Sequence, residues 1–181
     1  MSIQPGTHTL GPENAKLLIR TARTGGAAKA GHDLVIEVRS WNATVQAGAE
    51  PGDTQMQLSA DSRSLHVLEG TGGIKPLGGK DRDSIRQTID DDVLKGCAIE
   101  FHSTSVTPGG DGGLRVAGEL DLFSKRGPIS FDLRSGDDGR LTGSAVVKQT
   151  EFGIKPYSAL FGALKVADEV TVEIEGTVPS S

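Results

Sequence analysis

Two stretches near the end of the chain, Leu141-Thr142-Gly143-Ser144-Ala145-Val146-Val147-Lys148 and Glu169-Val170-Thr171-Val172-Glu173-Ile174-Glu175-Gly176, decide the fold class. In the second, Val170, Val172 and Ile174 fall on one side and the acids on the other. Such period-two alternation marks a half-buried β-strand. The connection between the two strands is unusually apolar, carrying Phe152, Ile154, Tyr157, Leu160, Phe161 and Leu164. Connections normally run over the surface and are polar. An apolar one needs something to cover, and in an all-β chain that something is an open barrel end.

The same alternation recurs upstream. Leu114, Val116, Gly118, Leu120 and Leu122 share one face, as do Ile129, Phe131 and Leu133. Further strands are expected over 16–22, 34–47, 54–60 and 98–107. In 34–47 the apolar phase slips from Ile36 and Val38 to Trp41, Ala43 and Val45, which predicts a bulge or bend near Ser40. Clusters such as Pro108-Gly109-Gly110-Asp111-Gly112-Gly113 and Ser135-Gly136-Asp137-Asp138-Gly139 read as turns. Ile85, Ile89 and Val93 at spacing four predict a helix over 81–94, started by Asp81 or Asp83 and stopped at Gly96. Gly25 to Gly31 reads as a turn or one helical turn, and 157–164 as a short helical lid.

These elements predict an antiparallel up-and-down β-barrel of about eight strands, in one domain over 6–178. Small inward residues, Ala60, Ser103, Gly118 and Ala145, leave such a barrel incompletely filled. A dry cavity walled by aliphatic side chains attracts an apolar ligand. The expected wall is Leu17, Ile19, Ile36, Val38, Met56, Leu58, Phe101, Leu120, Phe131 and Val172. Phe152, Tyr157, Leu160 and Phe161 are the expected mouth, as a lid or a plug. A polar headgroup is expected near His32, Lys148, Gln149 or Lys155.

Composition narrows the alternatives. Of 181 residues, 24 % are charged, the net charge is −5, and the basic residues are scattered, which argues against nucleic acid. The single Cys97 excludes an internal disulfide. No run of about 18 apolar residues exists, so no membrane span is expected. The N-terminus shows no secretory pattern, making a cytoplasmic location the expectation. His8, His32, His66 and His102 show no metal-ligand spacing, so neither a metal nor another cofactor is expected. The run from Gly70 to Asp81 lacks the P-loop pattern, with Ile74 and Asp81 at decisive positions. Asp90-Asp91-Asp92 reads as a solvated face. No GxSxG exists, so catalysis is not expected; an enzyme using His32 or His102 is the rival reading. A barrel plugged by its own side chains and serving as a structural or stress-related protein is another. An apolar mouth also makes a homodimer plausible.

In the order and spacing of its segments the chain resembles the YceI-like family. The matching parts are Gly6-Thr7-His8-Thr9-Leu10, Ala30-Gly31-His32-Asp33-Leu34, the helix Ile85 to Leu94, Ile99-Glu100-Phe101-His102-Ser103, Gly118-Glu119-Leu120, Pro128-Ile129-Ser130-Phe131-Asp132-Leu133, Glu151-Phe152-Gly153-Ile154 and Asp168-Glu169-Val170. The resemblance implies a lipocalin-like barrel holding a polyisoprenoid or other lipid-like chain. The chain departs from the common pattern at Gln149, where an Arg is usual, and at Ser40-Trp41-Asn42 and Gly96-Cys97-Ala98.

Overall fold

The computed structural model of the chain describes residues 3–136 and 138–178. Its strands are β1 (Gly6–Leu10), β2 (Ala15–Thr21), β3 (Arg23–Thr24), β4 (His32–Val38), β5 (Trp41–Ala47), β6 (Gln55–Asp61) and β7 (Leu65–Gly72). They continue with β8 (Ala98–Pro108), β9 (Leu114–Leu122), β10 (Lys125–Ser135), β11 (Arg140–Lys148), β12 (Ser158–Ala159), β13 (Leu164–Val166) and β14 (Glu169–Thr177). Eleven of them form one antiparallel sheet in the order β1-β5-β6-β8-β9-β10-β11-β14-β2-β4-β7.

There are eleven segments where about eight strands were expected, because three long strands each break once. The chain from β1 to β2 breaks at residues 11–14, where Asn14 Nδ2 donates to the Thr9 carbonyl over 2.9 Å. The β4–β5 strand breaks at Arg39 and Ser40, and its neighbour β6–β7 breaks beside it at residues 62–64. Arg39 N–H donates to the Ser64 carbonyl (3.0 Å) and Asp61 N–H to the Ser40 carbonyl (2.9 Å). Both strands therefore turn together and stay paired. Ile36, Val38, Trp41, Ala43 and Val45 are all buried on the same side, so two residues at the bend restore the register the alternation had lost. Followed through these bends, the pairing runs from β2 around to β14 and back to β2. The sheet thus curls around an interior.

The two ends of this curled sheet differ. One is closed by short turns at 48–54 and 109–113 and where Gly139 N–H donates to the Gly136 carbonyl over 3.1 Å. The other carries three long connections, 22–31, 73–97 and 149–168. Helix α1 (Gly79–Thr88) lies on the second of these and continues through one wider turn at Ile89–Val93. Lys95 and Gly96, at φ 53° and 65°, stop it in the left-handed conformation. Asp81 Oδ2 accepts the Gly78 N–H over 2.9 Å, satisfying a donor at the helix start. Ile85, Ile89 and Val93 pack toward the core as their spacing predicted.

Two expectations are corrected. The stretch 65–72, unassigned from sequence, is the strand β7. The segment 157–164 is no helical lid: β12 and β13 pair as a hairpin, with Ser158 opposite Lys165, and β13 pairs onward with β3. The turn between them holds Leu160 and Phe161 at φ 51° and 56°. Left-handed backbone does not propagate as a helix in L-residues, so the segment folds back as a strap instead.

Candidate functional site

The curled sheet encloses a cavity of about 580 Å³. Every strand of the curl supplies wall residues, β1 and β7 one each, Leu10 and Leu65. The base is Leu10, Val45, Leu133 and Leu141; Phe101 and Phe131 meet in the wall as a tilted pair, centroids 5.5 Å apart. All ten residues expected as wall line it: Leu17, Ile19, Ile36, Val38, Met56, Leu58, Phe101, Leu120, Phe131 and Val172. Of the small residues expected to leave space, Ala60 and Ala145 face the cavity. Gly118 is instead filled by the Phe101 ring, and Ser103 accepts the Met56 N–H over 2.8 Å.

The rim is built from the three long connections. Ile85, Ile89, Val93 and Leu94 come from the helical segment, and Ile154, Tyr157, Leu164 and Val166 from the strap. The helical face was legible as a face, but not as part of a site. Leu164 also reaches Gly31, where a Cβ would stand 2.6 Å from its Cδ1, so glycine there lets the strap settle against the mouth.

Of the other expected mouth residues only Tyr157 lines the cavity. Phe152 is buried in the core, its ring over Gly127, where the missing side chain leaves room for it. Leu160 and Phe161 lie on the strap's tip, and Phe161 is fully exposed. Holding bulky residues in left-handed backbone costs roughly 1–3 kcal/mol each, and nothing packed against Phe161 offsets it.

A polar collar sits at the neck. His32 and Gln149 line it as expected, joined by Thr21, Arg23 and Lys165, which the sequence reading missed. Lys148 and Lys155 are exposed and outside the lining. His32 Nε2 lies 2.8 Å from the Lys75 carbonyl, which only accepts, so Nε2 carries the proton. Arg23 donates to the carbonyls of Gly31 (2.6 Å) and Thr71 (3.2 Å). Gln149 Nε2 donates to the Ala167 carbonyl over 3.0 Å. Thr21 Oγ1 is shielded from solvent with no protein partner.

The strap is anchored by Asp168, which accepts the Thr150 N–H at 2.8 Å and its hydroxyl at 2.6 Å. The Thr150 hydroxyl bond holds the Asp168 carboxyl below its ordinary value of 3.8. A depressed carboxylate contributes stability above its unfolded pKa and loses it as pH falls through the folded one. Asp168→Asn is therefore expected to loosen residues 149–168 at neutral pH, as the wild type does only in acid. Amide hydrogen exchange checks this; equal protection of the strap in both proteins would contradict it.

The remaining histidines do not converge. His102 is exposed on β8, and His66, on β7, is held below its ordinary value by burial and then by Arg39 and Arg86. His66 lies outside the cavity lining, as does His102. Among the described residues no three His, Cys, Asp or Glu side chains are grouped to hold a metal. No helix there is long and apolar enough to cross a membrane.

The fold is shared with solved proteins. Burkholderia cenocepacia BcnA superposes with a TM-score of 0.66 at 16 % identity, over 92 % of this chain and 96 % of that one. A polyisoprenoid binding domain from Saccharophagus degradans, implicated in plant cell wall breakdown, gives 0.59 at 12 % identity, over 97 % and 100 %. Campylobacter jejuni YCEI protein gives 0.53 at 14 %, over 81 % and 85 %. At these identities the likeness is one of fold. No curated protein sequence matches the chain. The family model of the YceI-like domain matches residues 29–178, most of the chain and the whole cavity wall from β4 onward, and the protein belongs to that family.

Proposed function

We propose that the protein binds a long apolar or amphiphilic chain, of polyisoprenoid or similar lipid type, inside the curled sheet. The observation that carries this reading is the cavity itself. Its volume of about 580 Å³ lies within the roughly 300–1,000 Å³ of ligand sites, and its wall is aliphatic and aromatic from base to neck. A barrel plugged by its own side chains has no such space. The Saccharophagus relative, a polyisoprenoid binding domain, supports the ligand class.

The driving force is burial. Each methylene taken from water contributes about 0.8 kcal/mol, so ten give roughly 8 kcal/mol, the scale of a micromolar Kd before ordering costs. The headgroup stays at the collar, where Thr21 Oγ1 lacks a partner and Lys165 stands exposed. A binding role fits the histidines: His32 spends its Nε2 proton on the Lys75 carbonyl, and His102 lies outside the cavity lining.

Displacement of a fluorescent long-chain fatty acyl probe by a polyprenol tests the reading. The expected result is saturable uptake of one probe per chain and its competitive release. A probe that never enters, at any chain length, would contradict it.

A further inference from the structure

Three connections meet at the mouth. His32 touches Lys75 across the first two, and Ala27 N–H donates to the Ala163 carbonyl (2.9 Å) to join the strap. Residues 22–32, 70–80 and 152–167 carry no Asp or Glu at all. They carry Lys29, Lys75, Lys80, Lys155 and Lys165, each exposed. Among the described residues every ion pair is made by an arginine, such as Arg20 with Glu173, and none by these lysines. The carboxylates of the same connections, Asp81, Asp83, Asp90 to Asp92, Glu151 and Asp168, lie just beyond these stretches, most of them on the helical segment. The opposite turns expose Glu13, Glu50, Asp53, Asp111 and Asp138. The lysines of the carboxylate-free stretches therefore gather on the strap and the segments packed against it, while the helical side of the rim balances its cations with Asp81, Asp83 and Asp90 to Asp92.

The same three segments expose the largest apolar side chains. Ile74 is 85 % exposed, Leu160 57 %, and Phe161 fully. Leu160 and Phe161 are consecutive residues in left-handed backbone, a conformation that glycine or asparagine adopts far more readily. An exposed, strained Phe on a strap whose lysines make no ion pair is the pattern of a surface that inserts apolar tips between lipid acyl chains while its cations meet headgroups.

We propose that this rim docks on an anionic phospholipid bilayer, placing the cavity mouth against the lipid. A mouth-to-mouth dimer would oppose two lysine faces of the same sign, which like-charge repulsion disfavours. Docking lets an apolar chain pass between bilayer and cavity without crossing water. It does not depend on what fills the cavity.

Co-sedimentation of the purified full chain with vesicles tests this. Binding is expected to vesicles of phosphatidylglycerol mixed with phosphatidylcholine, much less to phosphatidylcholine alone, and to fall with added salt. The Lys155→Gln, Lys165→Gln double variant is expected to bind about twenty-five-fold more weakly, since each lysine near an anionic surface is worth roughly fivefold. Phe161→Asn is expected to lose at least about tenfold while its Tm holds or rises, because Asn suits the left-handed position. Wild-type protein that ignores both vesicle types, or variants that bind as it does, would overturn the proposal. So would a concentration-dependent dimer, seen by ultracentrifugation, that the same substitutions abolish. Probe uptake from solution is scored separately: a filled protein that ignores vesicles sinks docking alone, and an empty one that binds them sinks the ligand reading alone.

Discussion

Replacing Ala60 and Ala145 together by Phe is expected to abolish uptake of a long-chain ligand while leaving the protein folded. Both alanines face the cavity, Ala60 from β6 and Ala145 from β11, where it pairs with Val172. Enlarging a residue in a close-packed core costs 1–3 kcal/mol because neighbours must move. Here the new rings enter existing space, so that cost is largely avoided. Phe is preferable to Trp, whose indole N–H would need a partner inside an apolar wall. The rings take up volume that roughly ten methylenes of ligand would fill, and with it most of the burial that drives binding. Uptake is expected to fall more than about tenfold, with Tm within a few degrees of the wild type. Retained uptake at full stability would place the ligand outside the curled sheet.

Gly118→Val is expected to have the opposite profile, a loss of fold before any question of ligand. A Cβ at Gly118 would stand 2.3 Å from the His102 carbonyl oxygen and 2.5 Å from the Phe101 ring. The first contact is backbone on a neighbouring strand and cannot rotate away. Phe101 is 8 % exposed and leans on Phe131, so its ring has little room to retreat except into the cavity. The expected cost is about 3 kcal/mol or more, near the upper end of overpacking effects. For a chain of this length that corresponds to a Tm drop of roughly 6–12 °C. Thermal unfolding followed by circular dichroism measures it, and a drop below about 2 °C would show that the strands part more easily than their pairing implies.

How much was legible in the sequence depended on whether a feature was local. The alternation of Val170, Val172 and Ile174, and the slip between Val38 and Trp41, are written in consecutive residues, and they gave strands, inward faces and a bend. All ten wall residues followed from that. Strand β7 was missed because Leu65 and Val67 alternate only briefly before Gly70 and Gly72 mimic a loop. The strap was misread because spacing at Tyr157, Leu160, Phe161 and Leu164 suits a helix, and no propensity shows that Leu160 and Phe161 take left-handed backbone. Phe152 looked like its apolar neighbours until the gap at Gly127 claimed it. The lysines looked scattered because they are scattered along the chain. Only the topology, which brings residues 22–32, 70–80 and 152–167 to one end, gathers them.

The central claim is that the interior belongs to a ligand and not to the protein's own side chains. Native mass spectrometry of the protein, purified without detergent, tests this most directly. The account predicts a second species heavier by the mass of one long-chain lipid, present as purified or after incubation with a polyprenol, and absent in the Ala60→Phe, Ala145→Phe variant. A single species at the mass of the bare chain under every condition would contradict it.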